Sequence, residues 1–251
     1  MVSPVEYPPP TPHDPLTEVF PDVFLVRGSY RSSFWMRFNR NMVVLRHGDD
    51  LTVINSVRLQ PEHEAELDAL GTVRHVVRLG YFHGMDDRYY VDRYGAEFWA
   101  AARSRREPGP AATRELVTGG ELPFAGAQAY VIAHARHPEP VILLEREGGI
   151  LLTCDCLQYY TDRRFGSLAA RIMMPLMGFP LRMLIGPLWL KAMTPEGGSL
   201  LPDFEHIAGL SFRHLIPGHG SLCRHDAREK VQAAVTAVWP ELDQARRGVQ
   251  Q

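Results

Sequence analysis

The feature that most constrains this chain is a set of four histidine and aspartate residues, each placed soon after a short apolar run. The runs at 73–79, 150–153 and 212–216 are rich in valine, isoleucine and leucine, and each predicts a buried β-strand. Side chains that follow strands can meet where the strands end at one edge of a sheet. The pattern therefore predicts an α/β fold with one polar site. Its candidate members are His83, Asp87, Asp155 and His219.

The rest of the chain fits the same fold class. Apolar runs at 19–26, 42–45 and 51–54 predict an opening β-meander. Residues 60–71 predict a helix that begins beside a proline and ends at a glycine. Residues 89–102 carry aromatic and apolar side chains close to helical spacing and predict a second helix. Further strands are predicted at 129–133 and 141–144, and a last helix at 226–239.

Length and composition indicate a globular protein with a substantial core. The chain has 251 residues, of which 45% are hydrophobic and 22% are charged, so disorder is not expected. We expect an extended, proline-rich arm at 1–16 and a single domain at 17–251. The formal net charge of -2 gives no general attraction to nucleic acid or to an anionic membrane. Three cysteines make no disulfide framework, which predicts a cytoplasmic protein.

The most apolar segment, residues 165–193, predicts broken helices. Basic residues and prolines interrupt it, whereas a membrane-spanning helix needs about 20 mostly apolar residues in succession. We therefore expect no transmembrane segment. The methionines of this segment are adaptable packing groups, and they leave two interpretations open. The segment is either a lid over an apolar ligand pocket or an interface through which the chain forms a homodimer.

Taken in order, these elements and their loops resemble the metallo-β-lactamase superfamily. The matching stretches are TVIN at 52–55, HGMDDR at 83–88, LLTCD at 151–155 and LIPGHG at 215–220. The resemblance covers about residues 17–222. It implies an αββα four-layer sandwich, in which two mixed β-sheets pack face to face and helices flank them.

The resemblance also implies a metal site. Met85 and Arg88 stand where the family has two further histidines, so the expected site is a reduced one that holds a single metal. Zinc suits imidazole and carboxylate ligands, and iron and manganese are not excluded. His134 is a rival for one of the ligand positions. Residue by residue, the resemblance assigns metal ligation to His83, Asp87, His137, Asp155 and His219.

The function that the resemblance implies is that of a metal-dependent hydrolase acting on a small-molecule ester, thioester, amide or phosphoester. The metal would lower the pKa of a water molecule, Asp87 or Asp155 would orient that water, and Arg88 would stabilise developing negative charge. The alternative is a non-catalytic protein of the same fold that has lost its metal and serves in binding or oligomerisation. In that case Arg88 or another cation would balance the carboxylates.

Overall fold

The computed structural model describes residues 6–103 and 109–240, and the larger of its two main sheets is built from the first half of the chain. The strands of this sheet are β1 (Thr17–Phe20), β2 (Val23–Arg31), β3 (Arg37–His47), β4 (Asp50–Ile54), β5 (Thr72–Arg78), β6 (Glu97–Ala100) and β7 (Arg114–Glu115). Strands β1 to β4 pair with one another in antiparallel fashion, and each of β5, β6 and β7 is parallel to the strand before it. Helices α1 (Pro61–Leu70) and α2 (Asp87–Tyr94) provide the crossovers that the parallel strands β5 and β6 require.

The second main sheet comes from the later part of the chain. Its first three strands are antiparallel: β8 (Ala127–Ile132), β9 (Glu139–Leu144) and β10 (Ile150–Leu152). A separate pair is formed by β11 (Leu157–Tyr159) and β12 (Met183–Ile185). The last strand, β13 (His214–Ile216), returns to lie parallel to β10. The remaining helices are α3 (Leu168–Leu176), α4 (Pro187–Met193), α5 (Leu201–Gly209) and α6 (Ala227–Val238).

Three buried clusters arrange these elements in four layers. Side chains alternate between the two faces of a strand. Val43 of β3 meets Leu152 of β10 between the sheets, whereas Met42 and Val44 face the cluster beneath α1 and α2. Leu151 faces the opposite side of the second sheet, which α4, α5 and α6 cover. The αββα sandwich with two mixed sheets is therefore as the sequence predicts.

Two of the local predictions are wrong. Residues 89–102 do not form one helix, because α2 ends at Gly95, which adopts a left-handed φ of 63°. The aromatic side chains that follow belong to strand β6. Residues 19–26 are not one strand, because a turn separates β1 from β2. The structure also contains β11, β12 and α5, for which the sequence patterns predict no separate element.

Residues 165–193 form broken helices as predicted, but strand β12 lies between α3 and α4. No helix in the ranges 6–103 and 109–240 is both long enough and apolar enough to cross a lipid bilayer.

The predicted arm and the end of the predicted domain lie partly outside the described residues. Residues 6–16 contain no regular element apart from a bridge between His13 and Gly28.

Candidate metal site

Three of the predicted site residues lie together at the strand ends. The Nε2 atoms of His83 and His219 are 3.0 Å apart. Asp155 approaches both rings, with 3.0 Å from its Oδ1 to His219 Nε2 and 3.6 Å from its Oδ2 to His83 Nε2. All three side chains are more than nine-tenths buried. They follow strands β5, β10 and β13, so both main sheets contribute to the cluster.

The second ring nitrogen of His219 determines which protons the cluster can hold. His219 Nδ1 lies 2.6 Å from the main-chain carbonyl oxygen of Asn39. A carbonyl only accepts, so Nδ1 carries a proton, and the neutral ring then has a lone pair on Nε2. That lone pair faces the carboxylate of Asp155 and the ring of His83. The arrangement needs a cation, either a proton or a metal ion, between these atoms.

The charges of the cluster favour an ionised carboxylate and a neutral His83. Burial alone would raise the pKa of Asp155, but the adjoining imidazoles outweigh it and lower that pKa, chiefly through the positive charge that His83 carries when it is protonated. Burial lowers the pKa of His83, although Asp155 opposes this effect. At neutral pH both groups are therefore in the protonation states in which they bind metals.

Cys154 lies beside the same cluster. Donor atoms of His83, Cys154 and Asp155 all lie within 4.8 Å of one another. Burial, assisted by the negative charge of Asp155, raises the pKa of the Cys154 thiol well above its ordinary value. The protonated sulfur lies 3.7 Å from Asp155 Oδ2 and can donate a weak hydrogen bond to it.

The structure does not bring Asp87 to this cluster. Asp87 is buried at the start of α2, where its Oδ2 lies 2.6 Å from Arg78 Nε and its Oδ1 accepts a hydrogen bond from the Ser56 hydroxyl. Its neighbour Asp86 is paired with Arg40 and accepts a hydrogen bond from the main-chain N–H of Arg58 at 2.8 Å. Both carboxylates of the loop are thus balanced by arginines.

Arg88 and His137 also lie away from the cluster. Arg88 is half exposed on α2, where it forms an ion pair of 3.2 Å with Asp92. His137 stacks on the ring of Tyr81 at a centroid distance of 3.8 Å, and its Nδ1 lies 3.1 Å from the carbonyl oxygen of Arg103. The rival His134 is exposed and pairs with Asp203 at 2.8 Å. These contacts correct the expected positions of the three residues Asp87, Arg88 and His137.

Sequence reasoning missed Arg78 and Arg40, the two arginines that balance the negative charges of the aspartates in this loop. A signal was available, because each is a charged residue within or beside an apolar run that predicts a strand. Arg78 interrupts the run at 73–79, and Arg40 precedes the run at 42–45. A charge in a buried strand needs a charged or hydrogen-bonding partner. The loop with two adjacent aspartates supplies it.

Glu139 is another buried carboxylate that the site prediction omitted. Its Oε1 accepts a hydrogen bond from the main-chain N–H of Cys156, and its Oε2 accepts one from Trp189 Nε1, both at 2.7 Å. Burial, reinforced by the charge of Asp155, raises the pKa of Glu139 to about 8. The two hydrogen bonds tie the chain that follows Asp155 to helix α4.

Replacing Gly84 with alanine is expected to destabilise the fold by more than about 1 kcal/mol. Gly84 has a φ of 107°, and an added Cβ would lie 2.0 Å from Arg78 Nη2. The new methyl group would therefore displace the arginine that balances Asp87. The matched control is Gly95→Ala, since Gly95 also has a positive φ but has open space around its Cβ position. Urea unfolding measures both variants, and equal losses would contradict the displacement of Arg78.

A cavity of about 500 Å³ opens beside the cluster, and its wall is largely apolar. Asp155 and His219 form part of that wall, together with Gln158 and Tyr160, whose hydroxyl donates to Gln158 Oε1 at 2.8 Å. One face of the segment 165–193 therefore lines a cavity next to the candidate site. Apolar side chains of the wall include Phe38, Phe82, Met174, Met177, Phe179 and Trp189.

Comparison with known proteins gives matches among solved structures. No family model matches the chain, and no curated protein matches it. FIM-1 from Pseudomonas aeruginosa, a metallo-β-lactamase in its mono-zinc form, is 15% identical, with 92% of this chain and 98% of that chain covered and a TM-score of 0.61. The metallo-β-lactamase from Erythrobacter litoralis is 13% identical, with 90% of this chain and 96% of that chain covered and a TM-score of 0.59. The metallo-β-lactamase from Hirschia baltica is also 13% identical, with 90% of this chain and 98% of that chain covered and a TM-score of 0.59.

Two mixed sheets packed face to face, with helices on both outer faces, define the chain as an αββα sandwich. The likeness to these solved structures identifies the sandwich as the metallo-β-lactamase fold, which confirms the fold predicted from the sequence. Because the identities are low, the likeness establishes the fold alone. The chemistry has to be argued from the residues of this chain.

Proposed function

We propose that this chain is a hydrolase that uses one metal ion held by His83, Asp155 and His219. The observation that carries the proposal is the commitment of His219 Nδ1–H to the carbonyl of Asn39, which leaves the Nε2 lone pair facing the other two residues. A hydrogen bond of this kind typically fixes the tautomer of a metal-binding histidine. Three convergent donors then need a cation, and a metal ion satisfies all of them.

The donor set fits the proposed metal. Two imidazoles and one carboxylate are a zinc donor set that leaves room for water, and iron and manganese accept the same donors. When bound, such an ion supplies a Lewis acid and lowers the pKa of water in its coordination shell.

Other residues beside the cluster can position the substrate and stabilise its charge. Arg40 and Tyr30 line a small cavity of about 40 Å³ next to His83, Asp155 and His219. The guanidinium of Arg40 can stabilise negative charge on a substrate oxygen, the role that the sequence assigned to Arg88. Burial raises the pKa of Tyr30 to about 12, so its hydroxyl stays protonated at neutral pH and can donate a hydrogen bond.

The larger cavity supports an acyl substrate. Its wall of methionine, phenylalanine and tryptophan side chains suits an apolar group of the substrate. The same side chains offer few partners to a charged group. Among the bonds that the sequence left open, we therefore favour a carboxylic ester or thioester of a small molecule with an apolar acyl chain.

A series of p-nitrophenyl esters of increasing acyl length tests this function. We expect the zinc-loaded chain to hydrolyse them, with kcat/KM rising about tenfold or more from acetate to octanoate as added methylenes fill the cavity. A chelator and His219→Ala should each abolish the activity. His134→Ala should retain it, because that imidazole is exposed and bound to Asp203. Absence of hydrolysis with zinc, iron and manganese alike, or full activity in His219→Ala, would contradict the proposal.

A second candidate is a non-catalytic binding protein of the same fold. It is favoured by Arg40 and Arg78, which balance Asp86 and Asp87 without a metal. This candidate predicts no stoichiometric metal in protein purified from zinc-supplemented culture, whereas the hydrolase proposal predicts a single zinc for each chain. Elemental analysis separates the two.

A further inference from the structure

Helix α3 presents an apolar stripe to solvent. Leu168, Ile172 and Leu176 follow at four-residue spacing along one side of the helix, and they are 75%, 59% and 78% exposed. The opposite side of α3 is buried through Ala170 and Met174, and Met174 lines the cavity beside the candidate metal site. Packing of the core therefore accounts for one face of α3 and leaves the other unexplained.

The tip of the β2–β3 hairpin adjoins this stripe. Ser167, the N-cap of α3, accepts a hydrogen bond from the N–H of Arg37 and donates from its hydroxyl to the carbonyl of Trp35 at 2.9 Å. Phe34 and Trp35 pack edge to face and are 76% and 75% exposed. Exposed apolar side chains on neighbouring elements are typical of an interaction site. We call the following five side chains the apolar rim: Phe34, Trp35, Leu168, Ile172 and Leu176.

The two segments that carry the apolar rim are basic and contain no acidic residue. Between Asp162 and Glu196 there are five basic residues and no aspartate or glutamate, and residues 30–40 add three arginines and no acid. The whole chain has a net charge of -2, so these two segments are more basic than the chain as a whole. Two of their arginines are already paired, Arg164 with Asp14 and the buried Arg40 with Asp86. Arg171, Arg182 and Lys191 are exposed and form no ion pair within the described part of the chain.

We propose that the apolar rim docks onto an anionic lipid surface. Short amphipathic helices with leucine, isoleucine and aromatic side chains beside arginine and lysine insert their apolar side chains at the headgroup boundary, while the basic groups pair with anionic lipids. Tryptophan is enriched at the same depth. Docking through α3 brings the cavity that Met174 and Met177 line close to the lipid surface.

A second copy of the chain suits this surface less well. A two-fold contact through α3 sets the same face against itself. The exposed basic residues of one copy then oppose those of the other. Residues 30–40 and 163–195, which carry the apolar rim, contain no acidic residue to balance them. Anionic lipid provides the missing negative charge. The docking does not involve His83, Asp155 or His219, so it stands or fails independently of the proposed hydrolase.

Co-sedimentation of the full chain with lipid vesicles tests this proposal. We expect vesicles that contain about 30% phosphatidylglycerol to bind the chain at least about tenfold more tightly than vesicles of phosphatidylcholine alone, and added salt to weaken the binding. The double variant Ile172→Ser, Leu176→Ser should lose at least about tenfold in affinity for the anionic vesicles. The pair Arg182→Gln, Lys191→Gln should reduce the difference between the two lipids.

The matched control is Val117→Ser, since Val117 is an exposed apolar side chain outside the apolar rim. It should leave vesicle binding unchanged, and circular dichroism should show that every variant keeps the fold. The proposal is overturned if neither vesicle binds the chain, or if the Ile172 and Leu176 variant binds as the control does. It is also overturned if light scattering shows a dimer that this variant dissociates, because the apolar rim would then belong to a second copy.

Discussion

Replacing Arg78 with methionine is expected to lower the free energy of unfolding by about 3–5 kcal/mol. Arg78 and Asp87 each have 1% of the side chain exposed, and 2.6 Å separates Arg78 Nε from Asp87 Oδ2. Methionine fills much of the same space but leaves the carboxylate of Asp87 buried with the Ser56 hydroxyl and no cation. Urea unfolding of the metal-free chain at neutral pH measures the loss.

The control for this experiment is Arg88→Met. Arg88 is half exposed and pairs with Asp92 across one turn of α2, so its loss should change the unfolding free energy by less than about 1 kcal/mol. The double variant Arg78→Met, Asp87→Leu should recover part of the stability, because it removes the unpaired charge. Equal losses from Arg78→Met and Arg88→Met would contradict the assignment of Arg78 as the cation of this loop.

Replacing His219 with alanine is expected to weaken zinc affinity by more than about 100-fold. Loss of an outer partner of a metal ligand already weakens binding by about 10–100-fold, and His219 is proposed as a ligand itself. Asp155→Asn should also weaken binding, since the amide has nearly the shape of the carboxylate but no charge. Competition with a chromophoric chelator measures the affinities.

His134→Ala serves as the control for zinc binding, because it removes an imidazole that is exposed and bound to Asp203. Its zinc affinity should match that of the unaltered chain. If His219→Ala binds zinc as tightly as His134→Ala does, the metal lies elsewhere in the chain.

The strand ends made it predictable that three of the candidate residues would meet. His83, Asp155 and His219 each follow an apolar run, and the ends of those runs meet because both main sheets end at the same edge of the sandwich. What the apolar runs could not predict is the atom that orients His219. That atom is the main-chain carbonyl oxygen of Asn39. Every residue has such a carbonyl, so the sequence does not indicate which one accepts the hydrogen bond.

Asp87 and Arg88 could not be positioned from the loop motif because the residues belong to a helix. Helix α2 begins at Asp87, and successive residues of a helix point in directions about 100° apart. Asp87 therefore turns into the protein while Arg88 turns toward solvent. The inward carboxylate then takes Arg78 as its partner. The sequence suggested Arg88 or another cation as the partner of the carboxylates in this loop, and the structure gives that role to Arg78 for Asp87.

The interpretation of residues 165–193 depends on side-chain directions that composition does not specify. Met174 and Leu176 are two residues apart on α3, and the first lines the cavity while the second faces solvent. Apolar character on both faces made the segment look equally suited to a ligand pocket and to an intermolecular contact. In the structure the inner face of α3 lines the cavity, whereas Leu168, Ile172 and Leu176 on its outer face are exposed to solvent.

Anomalous scattering from crystals of the zinc-loaded chain tests the central claim most directly. Data collected on both sides of the zinc absorption edge locate the metal without reference to activity. The account predicts one strong anomalous peak within bonding distance of His83 Nε2, His219 Nε2 and a carboxylate oxygen of Asp155. A map with no peak among these three atoms, or with its peak between Asp86 and Asp87, would contradict it.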